Sequence, residues 1–163
     1  MRRLSLVMLA AVLACSAAAF RAALAADDKD EPKAIAVKAL TAGAALFEAK
    51  NAKGIAETYT EDAVLTVVTR ENDTRKIKKE VRHGRADIEA YYVELFKSES
   101  PLHSKNTVEF ARWAGPDAVI ISGYFEPDTT SADSLKLPFV QTRVKEGDSW
   151  KITEIQVFFL PAG

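Results

Sequence analysis

The 163-residue chain holds one cysteine, Cys15, and two histidines, His83 and His103. A single cysteine allows neither an intrachain disulfide nor a cysteine-based zinc site, and two histidines leave little for a histidine-based metal centre. No metal and no cofactor is therefore expected. Net charge is also scarce: 22 basic residues against 23 acidic ones give -1, which removes any whole-chain electrostatic case for nucleic acid. The sequence lacks a glycine-rich phosphate loop, a Gly-x-Ser-x-Gly elbow and a His-Glu-x-x-His pair, so hydrolase and nucleotide-dependent chemistry have no support. What is present is an ordinary globular composition, 48% hydrophobic and 28% charged, of a length that suits one domain.

The chain opens with Arg2 and Arg3, an uncharged stretch over 4–20, and then Ala23-Leu24-Ala25 before the acidic Asp27-Asp28. A basic start, a short apolar run and a small-x-small end are the parts of a secretory signal peptide. The run is shorter than the roughly 20 apolar residues of a membrane span, so no transmembrane segment is expected after its removal. The predicted division is a signal peptide over 1–25, a disordered lead over 26–32 and one folded domain over 33–163, with a periplasmic or secreted destination. Val12-Leu13-Ala14-Cys15 loosely matches a lipoprotein box, so lipidation at Cys15 is the alternative processing route. Cleavage before Ala26 removes three basic residues and no acidic one, which takes the net charge to -4.

Along the rest of the chain, Val37, Leu40, Thr41, Ala44 and Phe47 recur at helical spacing and predict a helix over 33–50. Asn51 reads as a stop and as a cap for a second, short helix over 52–60, with Ile55 and Tyr59 on one face. The β-branched run 63–69 and the segment 75–83 read as a hairpin. Gly84 then breaks the strand, and 85–97 returns to helical spacing with Ile88, Tyr92, Leu95 and Phe96 inward. Strands follow over 103–113, 118–125, 135–145 and 150–160, joined by turns such as Gly115-Pro116-Asp117. Helices and strands segregated in this way indicate α+β, with a curved antiparallel sheet wrapped around a long helix.

This order resembles the nuclear transport factor 2-like superfamily, the cone fold of ketosteroid isomerase and the SnoaL-like cyclases. Four local matches carry the resemblance: Asn51-Ala52-Lys53-Gly54-Ile55; Tyr59-Thr60-Glu61-Asp62-Ala63-Val64, an aromatic followed by Asp-Ala; Gly84-Arg85-Ala86-Asp87-Ile88; and Gly147-Asp148-Ser149-Trp150-Lys151-Ile152. The likeness is greatest to small exported single-domain members of the SnoaL-like branch. It implies a cone-shaped antiparallel sheet around the long N-terminal helix plus two shorter helices, with a pocket at the mouth.

The pocket expected from that geometry takes Phe47, Tyr59, Tyr92, Trp113, Tyr124 and Gln156 as ligand-binding residues. On the last strand, parity with Trp150 and Ile152 sends Glu154, Gln156 and Phe158 inward, which leaves Ile155, Val157 and Phe159 on the opposite face. Glu154 and Asp62 are then the candidate catalytic carboxylates, while the apolar outer row motivates a homodimer. His83, at a strand-to-helix corner, reads as a surface or cap residue or as a base at the mouth. Residues 70–85 carry seven basic and three acidic side chains, a pattern that also protects an exposed hairpin from edge pairing. The leading functional expectation is a small, mostly apolar molecule bound in the cavity, without evident catalysis. A cofactor-independent isomerase, cyclase or dehydratase using a pocket carboxylate is one alternative. A dimeric protein-interaction module with a filled core is the other.

Overall fold

A computed structural model describes residues 31–71, 76–98, 104–127 and 136–160. The expected signal peptide with Cys15, the first five residues of the expected lead, and His103 lie outside these residues. Helix α1 is Glu31–Glu48 and α2 is Ala52–Glu57. They are followed by β1 (Tyr59–Arg70), β2 (Ile77–His83) and α3 (Gly84–Leu95). Strands β3 (Ser104–Gly115), β4 (Ala118–Pro127), β5 (Leu137–Glu146) and β6 (Ser149–Phe159) complete the order.

Helix α1 starts two residues before the predicted boundary. Pro32 occupies its first turn, where a missing N–H leaves no intrahelical bond unmade, and its ring is buried. The inward face is Ala36, Leu40, Ala44 and Phe47, whereas Val37 and Thr41 face solvent. The predicted stripe was thus rotated by one position at its N-terminal end. Asn51 caps α2, its Oδ1 accepting from the Gly54 N–H at 2.8 Å. The second helix ends at Glu57, so Tyr59 is the first residue of β1 and not a helical residue. The reason is long-range: the Ile152 N–H donates to the Thr58 carbonyl at 2.8 Å, and Tyr59 pairs with Ile152.

All six strands form one curved sheet in the order β2-β1-β6-β5-β4-β3. The β1–β2 hairpin and the β3–β6 meander are antiparallel as predicted, but β1 and β6 run parallel, so the sheet is mixed and not purely antiparallel. Turns fix the direction of strands that follow one another; no turn joins β1 to β6.

The ladder is interrupted at two places that decide which side chains face inward. Between Tyr59 and Val64, β1 bulges away from β6. Between β5 and β6, Arg143 pairs with Ile152 while Thr142 pairs with Glu154, so Thr153 is an extra residue on β6. Alternation is reset at that point.

Helix α1 lies across the β3 end of the sheet, where the Asn106 Nδ2 donates to the Leu40 carbonyl at 3.1 Å. Helices α2 and α3 pack together and against β1. Gly84 enters α3 with φ of +76°, a left-handed conformation natural to glycine. Two core clusters result. One joins Ile55, Tyr59, Ala63, Leu65, Ile88, Ile152 and Ile155. The other joins Ala36, Leu40, Val119, Ile121 and Phe139. No helix among the described residues is long and apolar enough to cross a membrane.

Candidate functional site

A cavity of about 440 Å³ lies between the two clusters. It opens where α1 presents small residues beside Leu40 and Phe47. Ala39, Gly43 and Ala44 line it, and a Cβ added at Gly43 would meet nothing within 4 Å. The sheet supplies Leu65, Val67, Ile155, Val157 and Phe159, and α3 supplies Tyr91, Tyr92 and Leu95. Phe125 stacks on Phe139 at 4.3 Å between ring centroids and closes the β4 side.

The inner end is polar. Tyr59, buried at the start of β1, places its hydroxyl 3.2 Å from the Tyr92 hydroxyl. Burial pushes the Tyr59 phenol up to about 12, while the Tyr92 hydrogen bond and the Arg143 charge pull it down. Burial first, and then the Tyr59 hydroxyl, holds Tyr92 well above the ordinary phenol value. Both are neutral at physiological pH. The main chain of Tyr59 is fixed from outside the cavity: Arg85 donates from Nε and Nη2 to its carbonyl at 3.2 and 2.7 Å and forms an ion pair with Glu61.

Beside the phenols stands Arg143, only 5% exposed. Its Nη1 donates to the Trp150 carbonyl at 2.9 Å and its Nε to the Gln141 Oε1 at 3.1 Å. Among the described residues no carboxylate lies within ion-pair distance of it, and none of the cavity-lining residues is Asp, Glu, Lys or His. Burial lowers the Arg143 guanidinium to about 10, with Tyr59 acting in the opposite direction. It remains a cation at neutral pH.

Of the six expected binding residues, the structure brings Phe47, Tyr59 and Tyr92 to the cavity. Trp113 lies elsewhere, packed on Trp150 at 5.8 Å in a separate cleft with Glu31, Asp117 and Lys145. Tyr124 faces outward beneath the Lys136 ammonium, and the neighbouring Phe125 takes the inward place. Gln156 is exposed and donates to the Glu154 Oε1 at 3.3 Å, so both are on the outer face. Asp62 is also exposed, accepting from the Thr60 hydroxyl at 3.0 Å within the β1 bulge. Neither candidate carboxylate enters the cavity. Conversely, Ile155, Val157 and Phe159, expected on a dimer face, line it. The Thr153 bulge accounts for the whole exchange on β6. His83 is exposed at the β2–α3 corner, where its backbone N–H donates to the Asp87 carboxylate at 3.1 Å.

Gln141 and Arg143 were not singled out from the sequence. A signal for them exists: Leu137, Phe139, Gln141 and Arg143 share one face of β5, so two polar residues interrupt an inward row.

No family model matches the sequence, and no curated protein sequence matches it. Solved structures do match in three dimensions. An NTF-2-like protein of unknown function from Shewanella oneidensis superposes with a TM-score of 0.61 at 16% identity, over 78% of this chain and 98% of that one. A domain of unknown function with a cystatin-like fold from Nostoc punctiforme gives 0.61 at 15% identity, over 78% and 76% of the two chains. A ketosteroid isomerase-like protein from Erwinia carotovora atroseptica gives 0.54 at 16% identity, over 78% and 92%. These neighbours do not single out the SnoaL-like branch. With the mixed six-stranded sheet, the three helices and the central cavity, they show that this chain has the cone fold of the nuclear transport factor 2-like superfamily.

Proposed function

We propose that this chain is an exported cone-fold domain that holds a small, mostly apolar molecule in its central cavity, without a carboxylate-based reaction. The observation that carries the reading is the cavity itself. Its volume of about 440 Å³ falls in the range of small-molecule sites, and its walls are aliphatic and aromatic with a few convergent polar groups. An interaction module with a filled core has no use for that space. An isomerase or cyclase of the carboxylate type needs an acid in it, and Glu154 and Asp62 are outside. Export is supported by the leader alone.

The test uses the neutral fluorophore N-phenyl-1-naphthylamine. Its emission is expected to rise saturably on addition of the protein, with one molecule bound per chain. Gly43→Leu directs an aliphatic side chain into the open space and removes a helical glycine, which disfavours helix by about 1 kcal/mol. That variant is expected to be at least as stable in urea and to bind the fluorophore about tenfold more weakly. No saturable signal with the wild type, or undiminished binding by Gly43→Leu, would overturn the reading.

For the assembly, we propose a homodimer through the outer sheet face. The earlier candidates Ile155, Val157 and Phe159 line the cavity, but Val140, 46% exposed, stands on the outer face between Gln156 and Ser122, with the half-buried Phe158 and Ile120 on the same face. Association would cover these apolar side chains of the outer face. Sedimentation is expected to show a dimer at micromolar concentration and a monomer for Val140→Glu. A monomeric wild type would remove the proposal.

A further inference from the structure

We infer that the molecule held in the cavity carries a carboxylate, taken at the inner end by the Arg143 guanidinium and the Gln141 amide, with an apolar body extending toward Leu137 and Phe159. This rests on the cavity reading above and names the chemical class of its ligand.

The first ground is charge. A guanidinium taken out of water loses its solvation unless an anion and hydrogen bonds replace it. Arg143 is 5% exposed and has two acceptors, both neutral, the Trp150 carbonyl and the Gln141 amide oxygen. Tyr59 is a neutral phenol at physiological pH, because burial raises its pKa. The chain itself therefore places one net positive charge at the inner end of an apolar cavity.

The second ground is independent of charge. Gln141 is 1% exposed. Its oxygen accepts from the Arg143 Nε, which fixes the orientation of the amide, since a guanidinium can only donate. The NH₂ group is thereby turned away from Arg143, and Nε2 has no hydrogen-bond partner. A buried amide nitrogen in that state is a donor awaiting an acceptor. The Tyr59–Tyr92 pair adds a third: one hydroxyl donates to the other, whose own proton stays available. The inner end thus offers donors from a guanidinium, an amide and a phenol.

A set of donors around one cation selects an acceptor-only group of a single negative charge. A carboxylate meets both conditions, and its two coplanar oxygens match the guanidinium fork. A phosphate dianion would exceed the one cation present. The remaining walls fix the rest of the molecule. From Arg143 to Leu137 on β5 is six residues, a rise of about 20 Å, and the facing positions on β6 are Ile155, Val157 and Phe159. An unbranched aliphatic acid satisfies this length and this apolar surface together.

Competition against bound N-phenyl-1-naphthylamine tests the inference with decanoate, 1-decanol and acetate. Decanoate is expected to displace the fluorophore at least about tenfold more effectively than decanol, in line with a hydrogen bond to a charged group. Acetate is expected to fail at concentrations where decanoate saturates. Arg143→Met is expected to abolish the preference for decanoate over decanol. Should that variant not fold, the wild-type ratio decides alone. Decanol matching or exceeding decanoate would overturn the carboxylate and leave the cavity reading standing, as would fluorophore binding that neither compound displaces. Acetate competing as well as decanoate would overturn the apolar body. A wild type that binds no fluorophore would remove the cavity reading as well.

Discussion

Ile155→Lys is expected to leave no folded protein at neutral pH, whereas Gln156→Lys, one residue further along β6, is expected to change stability by less than about 0.5 kcal/mol. Ile155 is 4% exposed and sits between Leu65 on β1 and Gln141 on β5. An ammonium there is surrounded by aliphatic groups and has the Arg143 cation two residues along the neighbouring strand. Burying an unpaired charge beside a like charge is destabilising by more than about 4 kcal/mol. Gln156 is exposed on the opposite face and has room for a long side chain. Soluble yield and urea midpoints of the two variants give the comparison. The reverse result, with Ile155→Lys tolerated and Gln156→Lys unfolded, would mean that β6 runs without its bulge at Thr153.

That pair of residues also shows where reading the sequence stopped short. Strict alternation from Trp150 and Ile152 puts Glu154 and Gln156 inward, and an inserted residue reverses that parity. Thr153 is an ordinary β-branched strand residue with no glycine beside it, so nothing local announces the bulge. The apolar content did contain the answer. Ile155, Val157 and Phe159 form the more hydrophobic row, and weighting that row above parity would have placed them inside. A similar irregularity displaces Tyr59, where β1 begins straight after a six-residue helix and then bulges before Val64.

The elements themselves were legible because their causes are local. Asn51 caps α2 through its own side chain, Gly84 takes the left-handed turn into α3, and the β3–β6 turns join strands that are neighbours in sequence. The parallel join of β1 to β6 has no local cause. Neither has the polar end of the cavity. Arg143 reads in sequence as one more basic residue of the strand Leu137–Glu146, and only its register opposite Ile152 and beside Tyr59 turns it into a buried cation. The alanines of α1 carry a similar ambiguity. They favour helix and permit close packing, yet between Leu40 and Phe47 they leave the space that becomes the cavity.

Gly123→Ala is expected to destabilise the domain by more than about 3 kcal/mol while adding a single methyl group, a cost typical of strain and not of volume. Gly123 lies on β4 opposite Val108, next to the irregularity between Val108 and Phe110 that brings β3 close. A Cβ at this position would stand 1.9 Å from the Thr107 carbonyl oxygen and 3.0 Å from its carbon. Both are backbone atoms, so no rotamer change relieves the clash. Strand β3 has to move by more than an ångström, on the order of the missing van der Waals separation. Such a shift breaks the pairing of Val108 and Thr107 with β4. It also disturbs α1, which is held to β3 through the Asn106–Leu40 hydrogen bond. Gly43→Ala is the internal control, since its Cβ meets nothing and a helical alanine is favoured by about 1 kcal/mol over glycine. Urea denaturation should therefore give opposite signs for the same chemical change at two positions. A loss below about 1 kcal/mol for Gly123→Ala would show that β3 and β4 are not drawn together at this point.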